Sequence, residues 1–96
     1  MSKSIISNER KCIVCGTIYN LHRHHIFYGT ANRRLSEKHG CWCYMCGYHH
    51  NLSAKGVHFN KNLDESLKRL TQERLEAQGW TREKFMDTFG RNYLDD

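Results

Sequence analysis

Cys12-Ile13-Val14-Cys15-Gly16, answered far downstream by Met45-Cys46-Gly47-Tyr48-His49-His50, decides how this chain folds. Two thiolates at Cys-x-x-Cys spacing can close on one zinc ion, and the Gly after the second permits the tight turn of a zinc knuckle. A tetrahedral site needs two more ligands. Cys43-x-x-Cys46 and Cys46-x-x-His49 both offer knuckle spacing, so the set is completed by Cys46 and His49 or by Cys43 and Cys46.

A metal staple suits the rest of the chain. At 96 residues it is one domain with a limited core. Its five Cys, an odd number, do not suit a simple disulfide framework. Met1-Ser2-Lys3-Ser4-Ile5-Ile6 lacks the apolar core of a signal peptide, and no apolar run is long enough to span a membrane. These features predict a reducing cytoplasm, where close-set Cys read as metal ligands.

The charge is unevenly distributed. Residues 1–60 carry eight Lys/Arg against Glu9 and Glu37, a net of +6, while residues 61–96 have a net of −1. All five Cys and all seven His also lie in the first part. Basic charge beside potential ligands suits a polyanion held near a metal. Arg23, Arg33, Arg34, Lys38 and Lys55 are the candidate phosphate contacts; a solvated basic face is the ordinary alternative.

The pattern predicts a loose polar lead-in over 1–10. Ile18-Tyr19 and Ile26-Phe27-Tyr28 read as a small hairpin, Gly29 to Asn32 as a loop, and Arg33 to His39 as a loop or a single helical turn. Trp42 to Met45 reads as a further strand or as the approach to a helix beginning near Cys46. Leu63, Leu67, Leu70 and Leu75 recur at helical spacing and predict a helix over about 62–78, opened at Asn62 and stopped at Gly79. Thr81 caps a shorter helix at about 81–89 with Phe85, Met86 and Phe89, ended by Gly90. These apolar stripes are read as core.

The His residues exceed the needs of one zinc. A core or solvated imidazole is the usual role of a single His, but His24-His25 and His49-His50 are adjacent pairs beside knuckle spacing. On a strand, neighbouring side chains face opposite ways, so His24 and His25 cannot share one role.

With Cys12-x-x-Cys15, His24-His25-Ile26 and Cys46-x-x-His49-His50 in place, the chain resembles the HNH endonucleases with a ββα-metal (His-Me finger) site, and within them small bacteriophage-encoded HNH-like proteins. The resemblance covers about residues 10–60. It implies an α+β fold: a zinc-stapled ββα-metal motif over 10–60, covered by two C-terminal helices in 61–96, forming a single domain over 1–96. It implies a metal-dependent DNA endonuclease that hydrolyses phosphodiester bonds, with His25 as general base and Asn32 as the nearest candidate to orient it. His24 and His50 would bind the catalytic metal, and His58 would be a further ligand or a phosphate contact. Zinc would occupy Cys12, Cys15, Cys46 and His49, the register that leaves His50 where the family has its catalytic His. The second divalent metal would be Mg²⁺, Mn²⁺, Ni²⁺ or Zn²⁺, with imidazole ligands favouring the transition metals over Mg²⁺. DNA is the implied partner, in a bacterial host cytoplasm, with a homodimer or a larger phage protein left open. The same residues also fit a non-catalytic zinc module that binds nucleic acid or a protein partner.

Overall fold

The computed structural model describes residues 3–50 and 56–94. It is a compact α+β fold with a two-stranded sheet and several helices. Strand β1 (Leu21–His25) leads into helix α1 (Thr30–His39), then β2 (Trp42–Cys46) and the short helix α2 (Gly47–His50). A 3-10 turn at Val57–Phe59 precedes α3 (Lys61–Ala77) and α4 (Arg82–Phe89). Among the described residues, no helix is long and apolar enough to cross a membrane.

The strands differ from the expected hairpin. β1 pairs antiparallel with β2, with Leu21 opposite Cys46, Arg23 opposite Tyr44, His24 opposite Cys43 and His25 opposite Trp42. Ile18 and Tyr19 are exposed instead. Ile26 and Phe27 follow β1 and are fully buried core residues. Apolar content misled here because β1 is polar in sequence, Leu-His-Arg-His-His, and is recruited by its partner strand rather than by its own propensity.

Helix α1 replaces the predicted loop or single turn, and its first turn takes in Thr30 to Asn32. It carries no apolar stripe, only Ala31 and Leu35, so periodicity could not reveal it. It docks through Ser36 and Leu35. The buried Ser36 hydroxyl accepts from the Phe27 N–H at 3.1 Å and donates to the Phe27 carbonyl at 2.7 Å. This leaves Phe27 to stack on Phe89, ring centroids 4.2 Å apart, and to meet the edge of Phe85. Ser36→Ala is therefore expected to orphan two buried backbone groups and cost about 2 kcal/mol; urea denaturation with an unchanged midpoint would contradict this.

The N-terminal stretch is not a loose lead-in. Ser4 and Ile6 are buried, the Ile5 N–H donates to the Gly40 carbonyl at 2.9 Å, and the Ser4 hydroxyl bonds the Trp42 carbonyl. The Arg74 guanidinium donates to the Ile5 and Ile6 carbonyls at 2.9 and 2.7 Å, tying this stretch to α3.

The C-terminal helices form as expected, with small shifts. α3 is capped by Asn60, whose side-chain oxygen accepts from the Leu63 N–H, rather than by Asn62. Thr81 caps α4 through the Lys84 N–H, and Gly90 ends it in the left-handed conformation. Leu67, Leu75, Phe85 and Phe89 enter the core with Leu63 and Leu70 packed against it, while Met86 is exposed. On an eight-residue helix the face that buries Phe85 and Phe89 is one residue wide, and Met86 lies beside it.

Candidate metal centres

The knuckle is held by its own backbone. The Cys12 N–H donates to the Thr17 carbonyl and the Gly16 N–H to the Cys12 carbonyl, with Gly16 at φ 78. A further bond, from the Ile13 N–H to the Tyr44 carbonyl, fastens the knuckle to β2. Cys46 at the end of β2 and His49 in α2 then complete a group of four.

The spacing of these four atoms fits one ion. A tetrahedral zinc with bonds of about 2.3 Å to sulfur and 2.0–2.1 Å to nitrogen sets S···S edges near ~3.8 Å and S···N edges near ~3.5 Å. Cys15 Sγ lies 3.8 Å from Cys46 Sγ. His49 Nδ1 lies 3.3 Å from Cys46 Sγ and 3.8 Å from Cys12 Sγ. Burial raises the Cys12 thiol, but hydrogen bonds from the Cys46, Cys15 and Val14 backbone outweigh it and bring its pKa down to about 6. The thiolate that zinc requires is therefore favoured near neutrality.

Cys43 is not part of this group. Three residues from Cys46 on a strand, it faces the other way, fully buried. Burial pushes both Cys41 and Cys43 up to about 12, so they are core thiols.

A second group consists of His24, His50 and His58, whose ring nitrogens lie within 4.8 Å of one another. His50 Nε2 is 3.2 Å from His58 Nε2. A tetrahedral ion with bonds of 2.0–2.1 Å to nitrogen sets that edge at about 3.3 Å. His24 is buried, and its Nε2 has no hydrogen-bond partner among the described residues. A buried, unbonded ring nitrogen is costly unless something else takes its lone pair or proton. The donor set therefore fits a borderline transition metal better than Mg²⁺.

Alternation along β1 sorts its four polar residues. His22 and His24 share one face, and Arg23 and His25 the other. His22 Nδ1 lies 2.9 Å from His50 Nδ1, so it fixes the orientation of that ring. On the other face, His25 Nε2 lies 2.8 Å from Glu37 Oε2, and Arg23 donates to Glu37 Oε1 at 2.8 Å. The Arg23 guanidinium sits 3.6 Å over the Trp42 ring. His25 nevertheless reaches the cavity that the three imidazoles line, along with Arg23, Tyr28 and Arg33. That cavity has a volume of about 500 Å³.

The structure thus brings together Cys12, Cys15, Cys46 and His49, and separately His24, His50 and His58. His58 joins the group despite lying beyond α2, where it is exposed on a 3-10 turn anchored by the buried Val57. Asn32 makes no hydrogen bond to His25 among the described residues; Glu37 makes it instead. Arg23, read as a phosphate contact, is engaged by Glu37 and Trp42 and also lines the cavity of the three imidazoles. Arg33 and Arg34 are exposed beside His25 in an adjoining cavity, and Lys38 is exposed on α1. Lys55 lies outside the described residues. His22 and Glu37 went unassigned in the sequence. Alternation from His24 could have found His22, whereas Glu37 depends on α1 being a helix.

Searches against family models, curated proteins and solved structures each found no match to this chain.

The histidine group also sets a pH dependence. Burial, then the neighbouring His50 and His58, lower His24 to about 3; burial, then His58 and His22, lower His50 to about 4. The unfolded chain takes up these protons near the ordinary value of 6.5. The folded state therefore binds fewer protons below that value, and stability falls as pH falls from about 6.5 towards 4. With zinc in the Cys group and the His group stripped of metal, His24 alone should cost about 2 kcal/mol between roughly pH 7 and pH 5. Urea midpoints that do not fall over that range would contradict the assignment.

Proposed function

We propose that this chain is a metal-dependent HNH-type endonuclease that hydrolyses DNA phosphodiester bonds, with His25 as general base. In this reading, β1, β2 and α2 form the ββα-metal unit, with α1 inserted between its strands. The observation that carries it is the unbonded Nε2 of buried His24, set among His50 and His58 in the cavity that His25 also lines. A metal held by these three imidazoles would supply positive charge to the scissile phosphate and the departing oxygen. His25 takes a proton from water as that water's oxygen bonds to phosphorus. The bond from phosphorus to the leaving oxygen breaks, its electron pair stays with that oxygen, and solvent protonates it. Arg33, Arg34 and Lys38 offer salt-sensitive, sequence-independent contacts to neighbouring phosphates.

The test is a nicking assay on duplex, branched and single-stranded DNA with Mn²⁺, Ni²⁺, Co²⁺ and Mg²⁺ supplied in turn. His25→Ala is expected to reduce the rate about 10²–10⁴-fold. A chain that cuts none of these substrates is not this enzyme. DNA binding without cleavage, with a single tightly held metal per chain, would instead identify the non-catalytic zinc module.

A further inference from the structure

We propose that Glu37 is the residue that positions His25, by fixing its neutral tautomer with the proton on Nε2 and the lone pair on Nδ1. The inference rests on the nuclease reading above and deepens it. Glu37 Oε2 lies 2.8 Å from His25 Nε2. An ionised carboxylate only accepts hydrogen bonds, so the nitrogen facing it must carry the proton. The lone pair that receives a proton from water is then on Nδ1, which has no hydrogen bond among the described residues.

The carboxylate itself is pinned. Its second oxygen accepts from Arg23 at 2.8 Å, and the Arg23 guanidinium is seated 3.6 Å over the buried Trp42 ring. Trp42 is the ladder partner of His25. Indole, guanidinium, carboxylate and imidazole thus form one stack-and-bond chain across two strands and α1. Such a clamp restricts rotation of the imidazole and selects its tautomer, the task that outer-shell carboxylates perform for reactive His. In proton abstraction, water gives its proton to Nδ1, the imidazole becomes a cation with protons on both nitrogens, and Glu37 faces the new charge. Solvent later removes the Nδ1 proton and restores the starting tautomer.

The competing explanation is a plain ion pair that holds α1 to the sheet. It would contribute little, because Glu37 is half-exposed. The two are separated by a spectroscopic readout together with kinetics. In ¹⁵N NMR of the metal-loaded protein at alkaline pH, wild-type His25 should show its proton on Nε2. Glu37→Ala should show a mixture of tautomers, a kcat lower by about 10–100-fold, and a KM close to wild type. Glu37→Gln, whose amide oxygen can still accept from Nε2, should retain more activity than Glu37→Ala. The role is overturned by an alanine variant with wild-type kcat, or by a His25 proton that stays on Nε2 without the carboxylate. A wild-type chain that cleaves nothing overturns the nuclease reading and this inference together. A cleaving wild type matched by its variant overturns only the role of Glu37.

Discussion

A strong zinc chelator is expected to unfold this chain completely, and added zinc to refold it. A domain of this size has a stability of about 5–14 kcal/mol at ~0.05–0.15 kcal/mol per residue. Zinc bound by two or more thiolates contributes about 10–16 kcal/mol in small finger peptides near neutral pH. The ion's contribution is therefore as large as the whole margin. The Cys group also ties the knuckle at residues 12–16 to the end of β2 and to α2, beside the backbone bond from Ile13 to Tyr44. Cys15→Ser gives the cleanest variant, because Cys15 is exposed and its replacement leaves no core cavity. Circular dichroism and a thermal scan before and after chelation read the result. A chelated chain that keeps its cooperative transition within a few degrees would show that Cys12, Cys15, Cys46 and His49 hold no structural ion.

The second large effect separates function from stability. His24→Leu should remove detectable metal binding at the His group and, in the nuclease reading, abolish cleavage, while stabilising protein whose His group is empty. Leucine is similar in volume and brings no buried nitrogen. Replacing an unbonded buried polar group by an apolar one relieves a penalty of about 1–3 kcal/mol. His24 is itself fully buried, opposite the buried Cys43, where an apolar side chain is the ordinary occupant. Isothermal titration with Ni²⁺, beside thermal scans with zinc retained in the Cys group, measures both quantities. A variant that still binds Ni²⁺ with wild-type affinity, or that is destabilised by several kcal/mol, would mean that His24 serves packing alone.

Much of the candidate site could be read from sequence, and the reasons are local. Cys12-x-x-Cys15 with Cys43-x-x-Cys46 or Cys46-x-x-His49 are short-range spacings that one ion's geometry dictates, so spacing narrowed the group to two sets without the fold. The strand alternation that turns Cys43 away leaves the one with His49. The amphipathic repeat through Leu63, Leu67 and Leu75, with Gly79 and Thr81 at its breaks, likewise marked α3 and α4. What escaped depends on distant partners. β1 is a strand because β2 lies beside it, and nothing in Leu-His-Arg-His-His says so alone. α1 shows no periodicity, so the placement of Glu37 against His25 could not be anticipated. The ordering of Ser4 to Ile6 depends on Gly40, Trp42 and Arg74, all far along the chain.

His49 and His50 are neighbours in one short helix, yet they belong to different ligand groups. Successive side chains leave a helix about 100° apart, which sends one ring towards the thiols and the next towards His22, His24 and His58. The run from Cys46 to His50 therefore works as a ruler with two marks. Inserting or deleting a single residue between Cys46 and His49 would swing both rings away from their targets at once. In descendants of this sequence the count between Cys46 and His50 is fixed.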